Sequence, residues 1–233
     1  MSSINAKTRQ AGVLYLVMGL LGWFSIIYIP SAFVVRGDPA ATARNITNAE
    51  FIFRLGILSQ LVSQIIFIVL VLLLYDLFED VDRYYARIMV ALVAVSVAVE
   101  IANCLNLIAP LNLLNGADAL SAFSKAQLDA LASSFLRLRT SGLNVVSIFW
   151  GLWLFPLGML VIKSGYFPKV LGVVLIAACA GYVAGSVTYI LFPAQVHAVS
   201  AVTLFLAGIG ELSTVGWCII KGANAPPLAA QPA

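Results

Sequence analysis

The chain predicts an all-α, polytopic integral membrane fold, and three observations carry that prediction. Hydrophobic residues make up 62% of the 233 and charged residues only 10%. Mean hydropathy is +1.02, too apolar for a water-facing globule. Six stretches of about 20 or more predominantly apolar residues recur along the chain, each long enough to cross a bilayer as a helix. Irregular backbone cannot face lipid, so each stretch is expected to be helical through the hydrocarbon.

The first stretch, Ala11 to Pro30, follows Lys7 and Arg9 as a signal peptide would. It is longer than a signal core and lacks a nearby small-residue cleavage site, so it is expected to remain as the first span. A polar connection, Gly37 to Glu50, comes next. Asp38 before Pro39 fits a helix N-cap with proline at the first helical position, and Thr47 and Glu50 have capping-box spacing. The second span is expected over Phe53 to Phe78, and the third, after a compact turn at Arg83, over Arg87 to Pro110.

Between the third and fourth spans, Ser124 and Gln127 repeat the capping-box spacing, and Leu128, Leu131, Phe135 and Leu138 recur at helical intervals. This predicts an interfacial amphipathic helix. The fourth, fifth and sixth spans are expected over Thr140 to Ile162, Pro168 to Phe192 and His197 to Ile220. Gly222 to Ala233 is rich in Ala and Pro and reads as a flexible tail. The whole chain reads as a single transmembrane domain.

Lys7, Arg9, Arg83, Arg87, Lys163, Lys169 and Lys221 fall on the N-terminal side, against Arg36, Arg44, Arg54, Lys125, Arg137 and Arg139 opposite. The totals nearly balance. The first helix and the compact turns weigh most under the positive-inside rule, which puts the chain in the cell membrane with both termini cytoplasmic. Net charge is +3 without a basic tract, so nucleic acid is not an expected partner. The expected partners are membrane lipid, a small-molecule ligand, and a second copy or another membrane protein packed on small-residue faces.

Several motifs occur in order: AGVLYL at Ala11, YIPS at Tyr28, GDPAATARNI at Gly37, FRLG at Phe53, ADALSAFS at Ala117, FWGLWLFPLG at Phe149, KSGYFPKVLG at Lys163 and GELS at Gly210. Together they resemble the domain-of-unknown-function family numbered 4386, from about the first span to the last. The resemblance implies a multi-pass bacterial membrane protein. It implies no reaction and carries over no catalytic residue.

Two acids lie deep in apolar runs. Glu100 and Glu211 stand near the middle of the third and sixth stretches, and an ionisable group there marks a candidate functional site. A rise of about 1.5 Å per residue predicts that they share a layer near the midplane. Asn103 and Asn106 follow Glu100, Thr214 follows Glu211, and Arg54 and Arg139 are candidate counter-charges near the outer ends of their spans. These seven residues form the expected ligand-binding set. Snorkelling to headgroups is the plainer role for both arginines. Inward polar faces are expected at Gly56, Gln60, Ser63 and Gln64, at Asn144, Ser147, Gly151 and Gly158, and from His197 to Thr214; packing alone would explain such stripes.

Catalytic patterns are missing from the sequence. It has one histidine, His197, and three cysteines within spans, Cys104, Cys179 and Cys218, so neither a zinc set nor a disulfide framework is expected. It has no nucleophile elbow and no phosphate-cradling glycine loop. No cofactor and no metal is expected. A binding or transporting role therefore leads, ahead of an intramembrane enzyme acting on a lipid or isoprenoid and ahead of a helper or sensor subunit.

Overall fold

The computed structural model describes residues 3–116 and 120–224. Among these residues there is no strand, and six helical segments are long and apolar enough to cross a membrane: Ile4–Phe33, Glu50–Phe78, Arg83–Leu114, Lys125–Ser164, Lys169–Leu191 and Pro193–Ile220. The protein is a multi-pass helical membrane protein. The spans overlap the six apolar stretches of the sequence and extend beyond most of them, because the flanking polar residues also have helical backbone. Part of the ADALSAFS motif and the tail from residue 225 lie outside the described residues.

In chain order the helices are α1 (Ser3–Trp23), α2 (Ile29–Phe33), α3 (Pro39–Asn48), α4 (Glu50–Phe78), α5 (Arg83–Asn103), α6 (Leu105–Leu114), α7 (Lys125–Leu152), α8 (Leu154–Ser164), α9 (Lys169–Leu191) and α10 (Val196–Ile220). Three spans contain a local irregularity. A π-helical turn, Phe24–Tyr28, joins α1 to α2 just before Pro30, whose missing N–H and bulky ring disfavour the ordinary α-helical turn. At Cys104 the backbone N–H is shared between the carbonyls of Glu100 and Ile101, and α5 gives way to α6. At Trp153 α7 gives way to α8; Pro156 removes the N–H that would have bonded to the Leu152 carbonyl, one turn earlier.

The expected N-cap at Asp38 is present: its carboxylate accepts from the Ala41 N–H at 2.8 Å, with Pro39 at the first helical position. The Ser124–Gln127 capping box is also formed, in both directions. Thr47 does not cap α4. It lies inside α3 and donates to the Ala43 and Arg44 carbonyls, while the first turn of α4 bonds back to the Ala49 carbonyl. The segment after Ser124 is helical but does not stand apart as an interfacial helix. It runs unbroken into the fourth span, with Asp129, Ala132, Leu136 and Arg139 buried along one side. A face buried that continuously leaves no reason for a break between an interfacial and a spanning piece.

By its contacts the chain falls into two compact units. The first unit holds the chain up to Leu16, Ile66–Val97 and the chain from Asn144 onward. Its packing relies on close backbone approach: a Cβ on Gly158 would overlap the Gly172 carbonyl, and the reverse substitution would meet Gly158 in the same way. Thr203 donates to the Gly181 carbonyl at 2.8 Å, and Ser147 and Ser186 share a hydrogen bond of 2.7 Å. Trp153, 2% exposed, packs against the rings of Tyr15 and Phe67 at 5.7 and 5.1 Å. At the turn between α4 and α5, Asp82 caps α5 and pairs with Lys163 at 2.6 Å.

The second unit holds Val17–Ile65 and Ala98–Leu143. Its core joins Ile29, Phe33, Ile46, Phe53, Leu107 and Leu136. Two serines of α4 bond to the backbone of α1: Ser59 donates to the Leu21 carbonyl at 2.7 Å and Ser63 to Met18 at 3.0 Å. The inward face expected from Gly56, Gln60, Ser63 and Gln64 is buried throughout.

Candidate functional site

In the second unit, α4, α5 and α7 each contribute a polar side chain to the site around Glu100. Glu100 is fully buried. Its Oε1 accepts from Gln60 Nε2 at 2.8 Å and lies 2.6 Å from Arg139 Nη2; its Oε2 accepts from Asn103 Nδ2 at 3.5 Å. The same Asn103 amide donates to the Arg139 carbonyl at 3.1 Å, and Asn106 donates to Asn103 Oδ1 at 2.9 Å. Gly142, one turn beyond Arg139, permits this approach, because a Cβ there would overlap the Asn103 amide.

Arg139 is 4% exposed and does not snorkel. It faces the interior because Glu100 compensates its charge there. Its contact with Glu100 is a close charge pair without the alignment of a hydrogen bond, so Nη1 and Nη2 both keep unused donors; Oε1 of Gln60 and Oε1 of Gln64 are likewise buried without a partner. Buried polar atoms are normally satisfied, and unused donors of Arg139 together with the unused Gln60 oxygen beside one ion pair call for an explanation.

Glu211 belongs to the first unit, and so do both of its hydrogen-bond donors. Tyr15 donates to Oε2 at 2.6 Å and Tyr182 to Oε1 at 2.8 Å. Trp153 holds the Tyr15 ring, and Gly151 admits Tyr182. Beside Tyr15 lies a cavity of about 20 Å³, lined by residues that include Leu70, Leu157, Phe167, Thr214 and Cys218. That volume is close to what one water requires, and its largely aliphatic lining favours a dry void.

The seven candidate residues thus divide. Glu100, Asn103, Asn106 and Arg139 meet in one network. Glu211 bonds to the two tyrosines, while Thr214 donates to the Gly210 carbonyl of its own helix. Arg54 is exposed and pairs with Glu50 at 2.6 Å, and Asn115 donates to the same Glu50 oxygen. His197 is exposed at the start of α10. Among the described residues, no group of three or more His, Cys, Asp or Glu side chains is placed to hold a metal.

Sequence reasoning did not single out Tyr15 or Tyr182 and treated Gln60 only as part of a face. The available signal was depth: Tyr15 and Tyr182 lie inside spans, away from the interfacial belts where tyrosine usually sits, and a buried phenol needs a partner.

Comparison with known proteins adds a family but no activity. A stretch of 80 residues is 38% identical to an "Uncharacterized protein" of Archaeoglobus fulgidus, covering 34% of this chain and 46% of the relative. The chain thus matches about half the length of that relative. No solved structure matches the chain. A family model described as "Domain of unknown function (DUF4386)" matches residues 10–222, nearly the whole chain, and the protein belongs to that family.

Proposed function

We propose that this is a non-enzymatic protein of the cell membrane, with both termini cytoplasmic, that binds or moves a small amphipathic or ionic ligand through contact with the Glu100–Arg139 cluster. One observation carries this reading: a fully buried ion pair in a span keeps guanidinium donors, and the Gln60 amide oxygen beside it, without a hydrogen-bond partner. Packing does not require charged groups at that depth, and leaving their hydrogen-bonding capacity unused is costly. Asn103 and Asn106 are the fixed side of the site, since Asn106 donates to Asn103 and Asn103 donates to the α7 backbone. Glu211, with Thr214 nearby on α10, is a second polar position in the spans, and Arg54 serves the outer end of α4.

The test is a screen of small amphipathic and ionic molecules for binding and uptake in lipid vesicles, run with the native protein and with Glu100→Gln and Glu211→Gln at neutral and acidic pH. The native protein is expected to bind at least one molecule and Glu100→Gln to lose it. Unchanged binding and transport in both variants at every pH would rule the reading out.

A further inference from the structure

The binding reading leaves the charge of the ligand open, and the Glu100 cluster narrows it. The carboxylate and the guanidinium are 2.6 Å apart, so the site already contains one negative and one positive charge. Adding an ion to it would leave an uncompensated charge in a low-dielectric interior, at high cost. What the cluster lacks is hydrogen bonds, and it lacks them on both sides. Arg139 offers unused donors at Nη1 and Nη2; Gln60 and Gln64, one turn apart on α4, each offer a buried carbonyl oxygen without a donor.

Arg139 and Gln60 converge, and Gln64 stands one helical turn from Gln60 on the same buried face of α4. Gln60 Nε2 and Arg139 Nη2 both approach the same oxygen, Glu100 Oε1, so the Gln60 amide and the guanidinium are neighbours. A guanidinium has donors and no acceptor, and an amide oxygen has acceptors and no donor. One molecule can satisfy both only if it accepts from Arg139 and donates to a glutamine.

We infer that the ligand group taken by the Glu100–Arg139–Gln60–Gln64 cluster is electrically neutral and carries a hydrogen-bond donor beside an acceptor, as a primary amide does. This rests on the binding role proposed for the same cluster and specifies its substrate class. Glu100 acts as the fixed counter-charge that keeps Arg139 in place and the site neutral. Specificity then follows from pairing: a molecule with only donors leaves the Arg139 N–H groups unsatisfied, and one with only acceptors leaves the glutamine oxygens unsatisfied.

The experiment uses the full chain in lipid nanodiscs with 15N-labelled glutamine and arginine side chains, titrated at neutral pH with acetamide, acetate or methylammonium and followed by NMR. Acetamide is expected to shift the Gln60, Gln64 and Arg139 signals, with both ions at least tenfold weaker. Gln64→Leu, which leaves the contacts of Gln60 and Arg139 with Glu100 in place, is expected to weaken acetamide at least fivefold, with the Gln60 signals still dispersed as in a folded chain. If acetate or methylammonium shifts these signals as strongly as acetamide, neutrality is wrong while ligand binding at the cluster stands. If acetamide leaves them unmoved and they show only contacts to water, the site holds solvent and the inference falls. If no probe of any charge perturbs them and no water contacts appear, the binding role falls as well.

Discussion

Replacing Glu100 by Gln is the sharpest perturbation of the second unit, because it removes a charge while nearly preserving shape. At an effective dielectric of about 20, unit charges about 4 Å apart attract by about 4 kcal/mol, and each ion lost several kcal/mol of hydration on burial. The intact pair is therefore near balance, but its halves are not equivalent. In Glu100→Gln the guanidinium of Arg139, 4% exposed, keeps its charge with nothing opposite, since it does not deprotonate in proteins. The expected loss is about 3–5 kcal/mol. In Arg139→Met the carboxyl group still accepts hydrogen bonds from Gln60 and Asn103, so the loss should be smaller, about 1–3 kcal/mol. The double variant Glu100→Met with Arg139→Met should recover most of the stability. Reversible unfolding in mixed detergent micelles, or steric trapping in bicelles, measures all three. Equal losses in the two single variants, or a double variant as unstable as their sum, would refute the argument that an unpaired guanidinium dominates.

Gly142→Ala should cost about 1–3 kcal/mol, since its Cβ would overlap the Asn103 amide, whereas Gly19→Ala, with nothing within 4 Å, should gain up to about 1 kcal/mol; the same unfolding measurement separates them. Tyr15→Phe and Tyr182→Phe should each cost about 1–2 kcal/mol, and the double change should depart from additivity because both phenols serve Glu211. Lys163, by its hydrogen bond, and then the Tyr85 backbone N–H hold the Asp82 carboxyl below its ordinary range. A folded-state value below the unfolded one means that this contribution is complete above the unfolded value and is lost as pH falls through the folded one. The stability gap between the native protein and Asp82→Asn should therefore be flat around neutrality and close below about pH 4.

The spans were legible because a bilayer demands long apolar helices, and little else produces six such runs. The Asp38 cap and the Ser124–Gln127 box were legible because capping is a local matter, set within four residues. Thr47 misled for a related reason: the same spacing occurs inside α3, where its hydroxyl found nearer carbonyls. At the candidate site, the depth of Glu100 was readable from hydropathy, but its partner was not. Arg139 lies 39 positions away by number, near the end of an apolar run, and their meeting goes with a close approach of α7 to Asn103 at Gly142 that no pattern within one helix announces. The tyrosines of Glu211 come from the first and fifth spans, contacts that no pattern within one helix encodes.

The π-helical turn at Phe24–Tyr28 has a consequence for chain length. A wide turn of this kind accommodates one residue more than an α-helix needs, leaving both flanks in register. Downstream of it, Ile29 and Phe33 enter the core, and Ile29 sits where a Cβ on Gly56 would be. Deleting Ile26 would convert the wide turn to an α-turn and leave those two side chains facing as they do now. Deleting one residue of α1 elsewhere would swing them by about 100° about the helix axis. The first span thus contains one place where the chain can shorten by a residue without turning the helix.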